Sequence, residues 1–256
     1  MKEMLLFYRE YERFYAMAAE SAAFADYCRE AFGADFSQDG FSDLRQVERL
    51  AGYLPERPGL RVLDAGCGNG KMLGWLQART GAHISGFDYA ENAIAQARRL
   101  FPTRSDWRVG MMGEIDYPPE SFDAVFSMDT FYFAPDAEAF AAQVKKWLRP
   151  EGLFLIAYQE GDVAPRTQDC HTTAAARALR ACALPYEAED ITCETQRMLL
   201  RKRNAVLHRR EAFLREGREE WYQMVLAQTE EATLPEADYR RRNARYLYVA
   251  RKAGKT

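Results

Sequence analysis

Histidine is scarce in this chain: its 256 residues include three, and its five cysteines show no CxxC spacing. Such counts provide no zinc-type ligand pattern, and we predict no metal site. An odd number of cysteines without paired spacing is typical of free thiols in a reducing compartment. We therefore expect a cytoplasmic protein.

The chain also lacks long apolar runs and a basic excess. The apolar patch at residues 4–8 is interrupted at once by charged residues, so we expect neither a signal peptide nor a membrane partner. The net charge is −3, whereas contacts to a phosphate backbone need clustered lysine and arginine. We expect no nucleic-acid partner, and the sequence leaves the oligomeric state open.

Residues 60–160 contain short apolar segments that alternate with helical patterns. Strands are predicted over 61–64, 82–87, 107–111, 122–128 and 153–158, with helices over 70–79, 91–100 and 136–148 and a turn at 150–152. Apolar strands alternating with helices predict a parallel sheet covered on both faces.

The flanking regions are mainly helical. Aromatic residues at three- and four-residue spacing predict helices before residue 33, and a break at 33–40 provides a hinge. A helix with Ser42 as its N-cap follows over 42–53. After residue 160 we predict a helix over 172–183, a strand over 186–192, a long helical stretch over 195–230 and a final strand over 245–250.

The strongest local signal is the segment VLDAGCGNG at residues 62–70. Its glycines allow close approach of the backbone to a ligand, but their GxGxG spacing differs from the GxGxxG of dinucleotide folds. No Ser or Thr follows Lys71, as a P-loop would require. Asp64 would repel a pyrophosphate and suits a cationic group such as an ammonium; the alternative is a solvated carboxylate at the strand end.

Asp88 ends the second predicted strand, 24 positions after Asp64. A carboxylate at this point can accept two hydrogen bonds from a ribose diol. The alternative is that Asp88 serves only as the N-cap of the next helix.

Four segments then occur in order: VLDAGCGNG, GFDYAENAIAQAR, PPESFDAVFSMDTFYFAPD and LRPEGLFLIAY. Together they resemble the class I methyltransferases that use S-adenosyl-L-methionine (SAM), over about residues 60–160. The resemblance implies an α/β, Rossmann-like sheet of seven strands with the last one antiparallel, and SAM as cofactor with S-adenosyl-L-homocysteine as product. FADYCREAFGADFSQDG and RYLYVARK are similar to an uncharacterised bacterial group of such enzymes.

The resemblance also assigns cofactor contacts. The methionine part would lie on the glycine loop, the ribose on the second strand, the adenine on the third and the sulfonium beside the fourth. The residues along the glycine loop are Asp64, Ala65, Gly66 and Gly68, and the ribose residue is Asp88. Tyr89 would pack on the adenine edge, with Met111, Met112 and Gly113 beside the ring, and Met128 and Asp129 would lie near the sulfonium. Met111 stands where many relatives carry Asp, and Phe133 replaces a histidine common in related enzymes.

Catalytic and substrate residues are predicted just past the strand ends, where ligands of open parallel sheets bind. Asp129 and Tyr132 are the first candidates for a base, and His171 is the third; alternatively, Asp129 holds a turn or SAM and Tyr132 shapes the pocket. The predicted substrate contacts are Tyr11, Tyr15, Tyr132, Tyr158 and Gln159. The first two belong to an aromatic helix that is either a lid or a packing element.

We therefore divide the chain into an N-terminal helical cap (1–58), a SAM-binding core (59–194), a helical insertion covering the acceptor pocket (195–240) and a final core strand with a tail (241–256). The basic residues of the insertion have two interpretations. They recognise an anionic acceptor or RNA, or they form a solvated helix face whose charge is balanced by glutamates of the same insertion. We favour the second interpretation.

The predicted function is methyl transfer to a small molecule, with nitrogen slightly favoured over oxygen or carbon because aromatic walls and carboxylates suit amines. One alternative is another SAM chemistry, cyclisation or aminocarboxypropyl transfer, which would release methylthioadenosine. A second is a SAM-binding protein without enzymatic activity. An RNA methyltransferase and an NAD-dependent oxidoreductase are less favoured.

Overall fold

The computed structural model describes residues 7–167 and 169–254, and its centre is one seven-stranded sheet. The strands are β1 (Arg61–Ala65), β2 (His83–Asp88), β3 (Ser105–Val109), β4 (Phe122–Met128), β5 (Leu148–Glu160), β6 (Tyr186–Asp190) and β7 (Ala244–Arg251). They lie in the order β3-β2-β1-β4-β5-β7-β6. The pairs from β3 to β5 are parallel, whereas β7 is antiparallel to both β5 and β6. The predicted Rossmann-like sheet, with its last strand antiparallel, is confirmed.

Eleven α-helices surround this sheet within the described residues. They are α1 (Tyr8–Glu20), α2 (Ala22–Phe32), α3 (Leu44–Tyr53), α4 (Lys71–Thr80), α5 (Glu91–Leu100), α6 (Ala137–Trp147), α7 (Ala174–Ala181), α8 (Thr192–His208), α9 (Arg210–Arg215), α10 (Glu219–Gln228) and α11 (Glu236–Arg242). Among these described helices, none combines the length and the apolar character that crossing a membrane requires.

The sheet separates two apolar layers, because successive side chains of a strand point to opposite faces. In β1, Val62 packs in the layer that includes Leu73 of α4, whereas Leu63 packs in the layer that includes Trp147 of α6. Both strand residues are fully buried. Burial on both faces explains why the central strands are continuously apolar in the sequence.

A third apolar cluster joins the N-terminal helices to the helices between β6 and β7. Phe14 of α1 lies with its ring centroid 5.4 Å from that of Phe24 and 5.9 Å from that of Trp221 in α10. Glu216 accepts hydrogen bonds from the Ser21 hydroxyl at 2.5 Å and from a backbone N–H of α2 at 2.8 Å. The two distant segments therefore form one helical cap.

Several local features of the structure differ from the predictions, among them the position of β3, predicted over 107–111 and observed at Ser105–Val109. The N-cap of α3 is Asp43 and not Ser42, since the Asp43 carboxylate accepts the Gln46 N–H at 3.0 Å. The predicted helical stretch over 195–230 starts at Thr192 and is broken into α8, α9 and α10. Helix α11 was not predicted. The predicted turn at 150–152 lies inside β5, where the pairing with β4 shifts register.

The basic residues of the insertion pair mainly with the N-terminal helices. Arg201 forms an ion pair with Asp43, and Arg209 forms one with Glu30 at 3.0 Å. The prediction that glutamates of the insertion itself balance these charges is wrong for both arginines. The partners lie more than 150 positions away in sequence, so a local charge count could not identify them.

Candidate functional site

The loop between β1 and α4 holds its backbone in conformations that a side chain would prevent. Gly66 has a φ of 82°, and a Cβ atom added there would lie 2.6 Å from Cγ2 of Thr130. Gly68 has a φ of 53°, and an added Cβ would collide with the Tyr15 hydroxyl. The Gly66 N–H donates to the carbonyl oxygen of Phe87 at 2.8 Å, which fixes the loop against the end of β2. The loop is therefore shaped for close approach of its backbone to a ligand.

Asp64, the last polar residue before this loop, is buried without full hydrogen bonding. Its side chain is 3% exposed, and its Oδ1 has no hydrogen-bond partner among the described residues. Burial, and secondarily the neighbouring Asp88 carboxylate, raises the pKa of Asp64 from 3.8 to about 8. The alternative of a solvated strand-end carboxylate is wrong. A buried carboxyl group with a free oxygen is suited to a cationic ligand group.

Asp88 ends β2 on the other side of the loop. Its Oδ2 accepts the Gly68 N–H and its Oδ1 accepts the Ala90 N–H, both at 2.9 Å. Burial raises the pKa of Asp88 to about 6, and these N–H donors oppose the shift. The N-cap of α5 is Ala90, so the alternative that Asp88 is only the cap of that helix is wrong. A carboxylate accepts about four hydrogen bonds, so Asp88 keeps acceptor capacity for a ligand hydroxyl.

A cavity of about 220 Å³, here named the first cavity, opens above these residues at the carboxyl ends of β1 and β4. The strand order reverses its direction between these two strands, which is where ligands of doubly wound sheets bind. Most of the predicted cofactor residues line it: Asp64, Gly66, Gly68, Asp88, Tyr89, Met111, Met112 and Met128. These residues come from four strand ends, as predicted.

Two predicted cofactor residues lie outside the described lining of the first cavity. Ala65 faces Thr130, whose hydroxyl donates to the Ala65 carbonyl oxygen at 2.6 Å. Gly113 lines a separate cleft beside α6, together with Asp136 and Phe140. Cofactor contacts of Ala65 and Gly113 stay predictions that this geometry does not support.

A second cavity, of about 600 Å³, lies next to the first and reaches under the helical cap. The residues that line both cavities are Tyr11, Asp39, Phe41, Asp129 and Tyr132. Of the other predicted substrate residues, Gln159 lines the second cavity and Tyr15 the first. Tyr158 is not in either described lining; its ring packs 5.9 Å from that of Tyr132. A substrate contact of Tyr158 therefore stays a prediction without geometric support.

Asp129 forms a buried ion pair that the sequence analysis did not identify. Both of its carboxylate oxygens accept hydrogen bonds at 2.8 Å from the guanidinium of Arg245 in β7. The side chains are 6% and 1% exposed. Arg245 also donates to the carbonyl oxygen of Phe41 at 3.0 Å and to Oε1 of Gln46 at 2.9 Å, so the pair holds the start of α3 at the boundary of the two cavities. The sequence signal for this ion pair was the arginine of the apolar strand RYLYVA, because a buried arginine requires a partner.

The arrangement limits which groups can act as a base. Asp129 has both oxygens occupied by Arg245, which favours the alternative of a structural role. Burial, and then Asp129, raises the pKa of Tyr132 well above its ordinary value, so its hydroxyl stays protonated at neutral pH. His171 is exposed and lies 3.2 Å from the Tyr186 hydroxyl, outside the described linings of both cavities. The catalytic roles of Asp129 and Tyr132 stay predictions.

The loop of residues 33–40 is fastened directly to the glycine loop, a connection that sequence patterns did not indicate. The Asn69 side-chain amide donates to the carbonyl oxygens of Phe36 and Ser37, at 3.2 and 3.0 Å. The ammonium of Lys71 donates to Oδ2 of Asp35 at 2.7 Å. These hydrogen bonds therefore hold the base of the cap against the glycine loop.

Taken together, the doubly wound sheet, the glycine loop and the two carboxylates at strand ends define a cofactor site of the nucleoside type. Residues 63–156 match the family described as a methyltransferase domain. The ubiquinone biosynthesis O-methyltransferase of Rhodopseudomonas palustris is 37% identical over 117 residues, which cover 44% of this chain and 45% of that one. The sterol 24-C-methyltransferase of Gibberella zeae is 29% identical over 133 residues, which cover 50% and 34%.

Among solved structures, phosphoethanolamine N-methyltransferase 2 of Haemonchus contortus, in complex with phosphomonomethylethanolamine and S-adenosylhomocysteine, shares the fold. Its TM-score is 0.75 at 20% identity, covering 95% of this chain and 60% of that one. Over residues 63–156 the chain is similar to the class I SAM-dependent methyltransferases, and its relatives support that family. It spans about half or less of the length of the curated relatives named above, whose names include methylation of both oxygen and carbon.

Proposed function

We propose that this protein transfers a methyl group from SAM to a small molecule, with nitrogen as the favoured acceptor atom. The observation that carries the proposal is Asp64: a buried carboxyl group whose Oδ1 lacks a donor, at the edge of the first cavity. The amino acid part of SAM bears an ammonium group, which would supply that donor. Asp88 would accept the ribose hydroxyls, and Met111 and Met112 would pack beside the adenine ring.

When bound, SAM would supply the methyl group from its positively charged sulfur, which would keep the electron pair of the carbon–sulfur bond. The acceptor nitrogen forms the new bond with its lone pair, and the proton that it carried leaves to solvent. The protein has to orient the acceptor and exclude water, because the reaction needs no acid or base once the nitrogen is unprotonated. Tyr11, Phe41 and Tyr132 line both cavities and are placed to do this at their boundary.

The second cavity supports a small acceptor, since the helical cap covers it on the side away from the sheet. Helices α8 and α10 contribute Leu199, Trp221 and Met224 to its lining. A polymeric acceptor would need a groove open along its length, whereas the cap covers one side of this cavity. The five cysteines, all free, support the predicted cytoplasmic location.

The test is calorimetric titration of the purified protein with SAM, S-adenosylhomocysteine and NADH in parallel. We expect micromolar dissociation constants for the first two ligands and no binding of NADH. Absence of SAM binding would overturn the proposal.

Product analysis by mass spectrometry after incubation with candidate amines separates the alternatives. Methyl transfer releases S-adenosylhomocysteine, whereas aminocarboxypropyl transfer releases methylthioadenosine. SAM binding without turnover of any acceptor would favour a non-enzymatic binding protein.

A further inference from the structure

The second cavity carries a one-sided set of charges. The carboxylates in its lining are Glu10, Asp39, Asp129, Asp162 and Glu231, and the described lining residues include no lysine, arginine or histidine. Arg245 neutralises Asp129, and Arg242 pairs with Glu231 at 3.0 Å. Within residues 7–167 and 169–254, no cation lies at ion-pair distance from Glu10 or Asp162, both exposed at the mouth. The cavity therefore presents a negative field to an incoming ligand.

The walls of this cavity are rich in aromatic rings. They are Phe7, Tyr11, Phe14, Phe41, Tyr132, Trp221 and Tyr239. Aromatic faces attract organic cations through the negative charge of their π-electrons, and tryptophan does so most strongly. The same rings provide little compensation for an anionic group, which would lose its hydration on entering.

Gln159, near the end of β5, adds an unsatisfied hydrogen-bonding group. Its side chain lines the second cavity and is 7% exposed, and its Oε1 is buried without a partner among the described residues. An acceptor oxygen left without a donor destabilises a buried site unless a ligand satisfies it. The N–H of an amine is a donor of the required kind.

We propose that the second cavity binds an organic amine in its cationic form and rejects molecules with a phosphate or carboxylate group. Glu10 and Asp162 attract the cation at the mouth, the aromatic rings bind it, and Gln159 accepts a hydrogen bond from it. That this amine is the methyl acceptor rests on the proposed function, and it requires that the bound ammonium first release a proton to solvent, which frees the lone pair of the nitrogen. The charge selectivity of the cavity does not depend on that step.

Three compounds of one skeleton test the selectivity: phenethylamine (cation), 2-phenylethanol (neutral) and 3-phenylpropionate (anion). Binding is measured by calorimetry and by tryptophan fluorescence, to which Trp221 in the cavity wall contributes, with and without S-adenosylhomocysteine. We expect the amine to bind most tightly and the anion most weakly, with about a ten-fold difference between them. Equal or tighter binding of 3-phenylpropionate overturns the proposal.

Variants locate the effect within the cavity. The double variant Glu10→Gln and Asp162→Asn should weaken phenethylamine binding about three-fold or more and leave 2-phenylethanol unchanged. Gln159→Leu should weaken the amine while S-adenosylhomocysteine still binds, which checks that the variant is folded. Glu56→Gln, an exposed carboxylate outside the described cavity linings, is the matched control and should change nothing. If Glu56→Gln lost the preference for the cation while the double variant kept it, the assignment of this preference to Glu10 and Asp162 would be wrong.

The two proposals fail separately. If S-adenosylhomocysteine does not bind but the amine is still preferred, the proposed function is wrong and the charge selectivity stands. If S-adenosylhomocysteine binds and the anion is preferred, only the inference about the second cavity is wrong.

Discussion

Replacing Asp64 with Asn should stabilise the ligand-free protein and at the same time weaken SAM binding. The pKa of Asp64 lies at about 8 in the folded protein and at 3.8 as its ordinary value. Between these values the folded protein keeps a proton on Asp64 that the unfolded chain has released. The free energy of unfolding therefore falls as the pH rises through this window, by roughly 1.4 kcal/mol per pH unit for one group. Asp64→Asn removes this contribution.

The assay is thermal unfolding of both proteins from pH 5 to pH 9 without ligand. For a chain of this size about 1 kcal/mol corresponds to roughly 2–4 °C in Tm. The Tm of Asp64→Asn minus that of the unmodified protein should thus grow by about 3–6 °C per pH unit between about pH 5 and 7, and level off above about pH 8. Asp88, whose pKa is raised to about 6, titrates in the same window in both proteins. Its effect is common to both, so the quantity to use is the difference between their Tm values.

Saturating SAM should narrow the gap in Tm between the two proteins, because the protein that binds SAM more tightly gains more stability from it. The unmodified protein gains an ion pair between Asp64 and the ligand ammonium, so its affinity should exceed that of Asp64→Asn by about 10- to 100-fold. A gap in Tm that is independent of pH would refute the burial argument for Asp64. Equal SAM affinity of the two proteins would refute its assignment to the methionine part of SAM.

Two further substitutions test the rest of the site. Asp88→Ala should lower SAM affinity by about ten-fold or more through loss of the ribose contact, and unchanged calorimetric affinity would show that the ribose lies elsewhere. Arg245→Met should cost about 3–5 kcal/mol in denaturant unfolding, because it leaves the Asp129 carboxylate buried and unpaired. The double variant Arg245→Met and Asp129→Leu should recover part of that loss; if it is as unstable as the single variant, the ion pair is not the cause.

The core of the fold was predictable because its signals are local. Strands buried on both faces are continuously apolar, and helices between them show their own periodicity, so β1, β4 and α5 could be placed to within a residue or two. Asp64 and Asp88 were identifiable for the same reason: each lies at the carboxyl end of an apolar strand, and parallel strands bring these ends to one edge.

The insertion was predicted less accurately because helix ends depend on weaker signals. The stretch over 195–230 is helical in composition throughout, and its division into α8, α9 and α10 follows from packing against the N-terminal helices. Gly217, with a φ of 67°, was a local signal for one break. Arg209 at the other break has no such signature.

The sequence by itself determined the parallel sheet, the cofactor loop and the carboxylates beside it. Only the tertiary structure decided that Arg245 holds Asp129, that the cap closes over the site, and that a second, negatively charged cavity adjoins the first. The physical reason is distance along the chain. Asp129 and Arg245 are 116 positions apart, and no periodicity or spacing encodes which buried charge meets which until the strands and helices have packed.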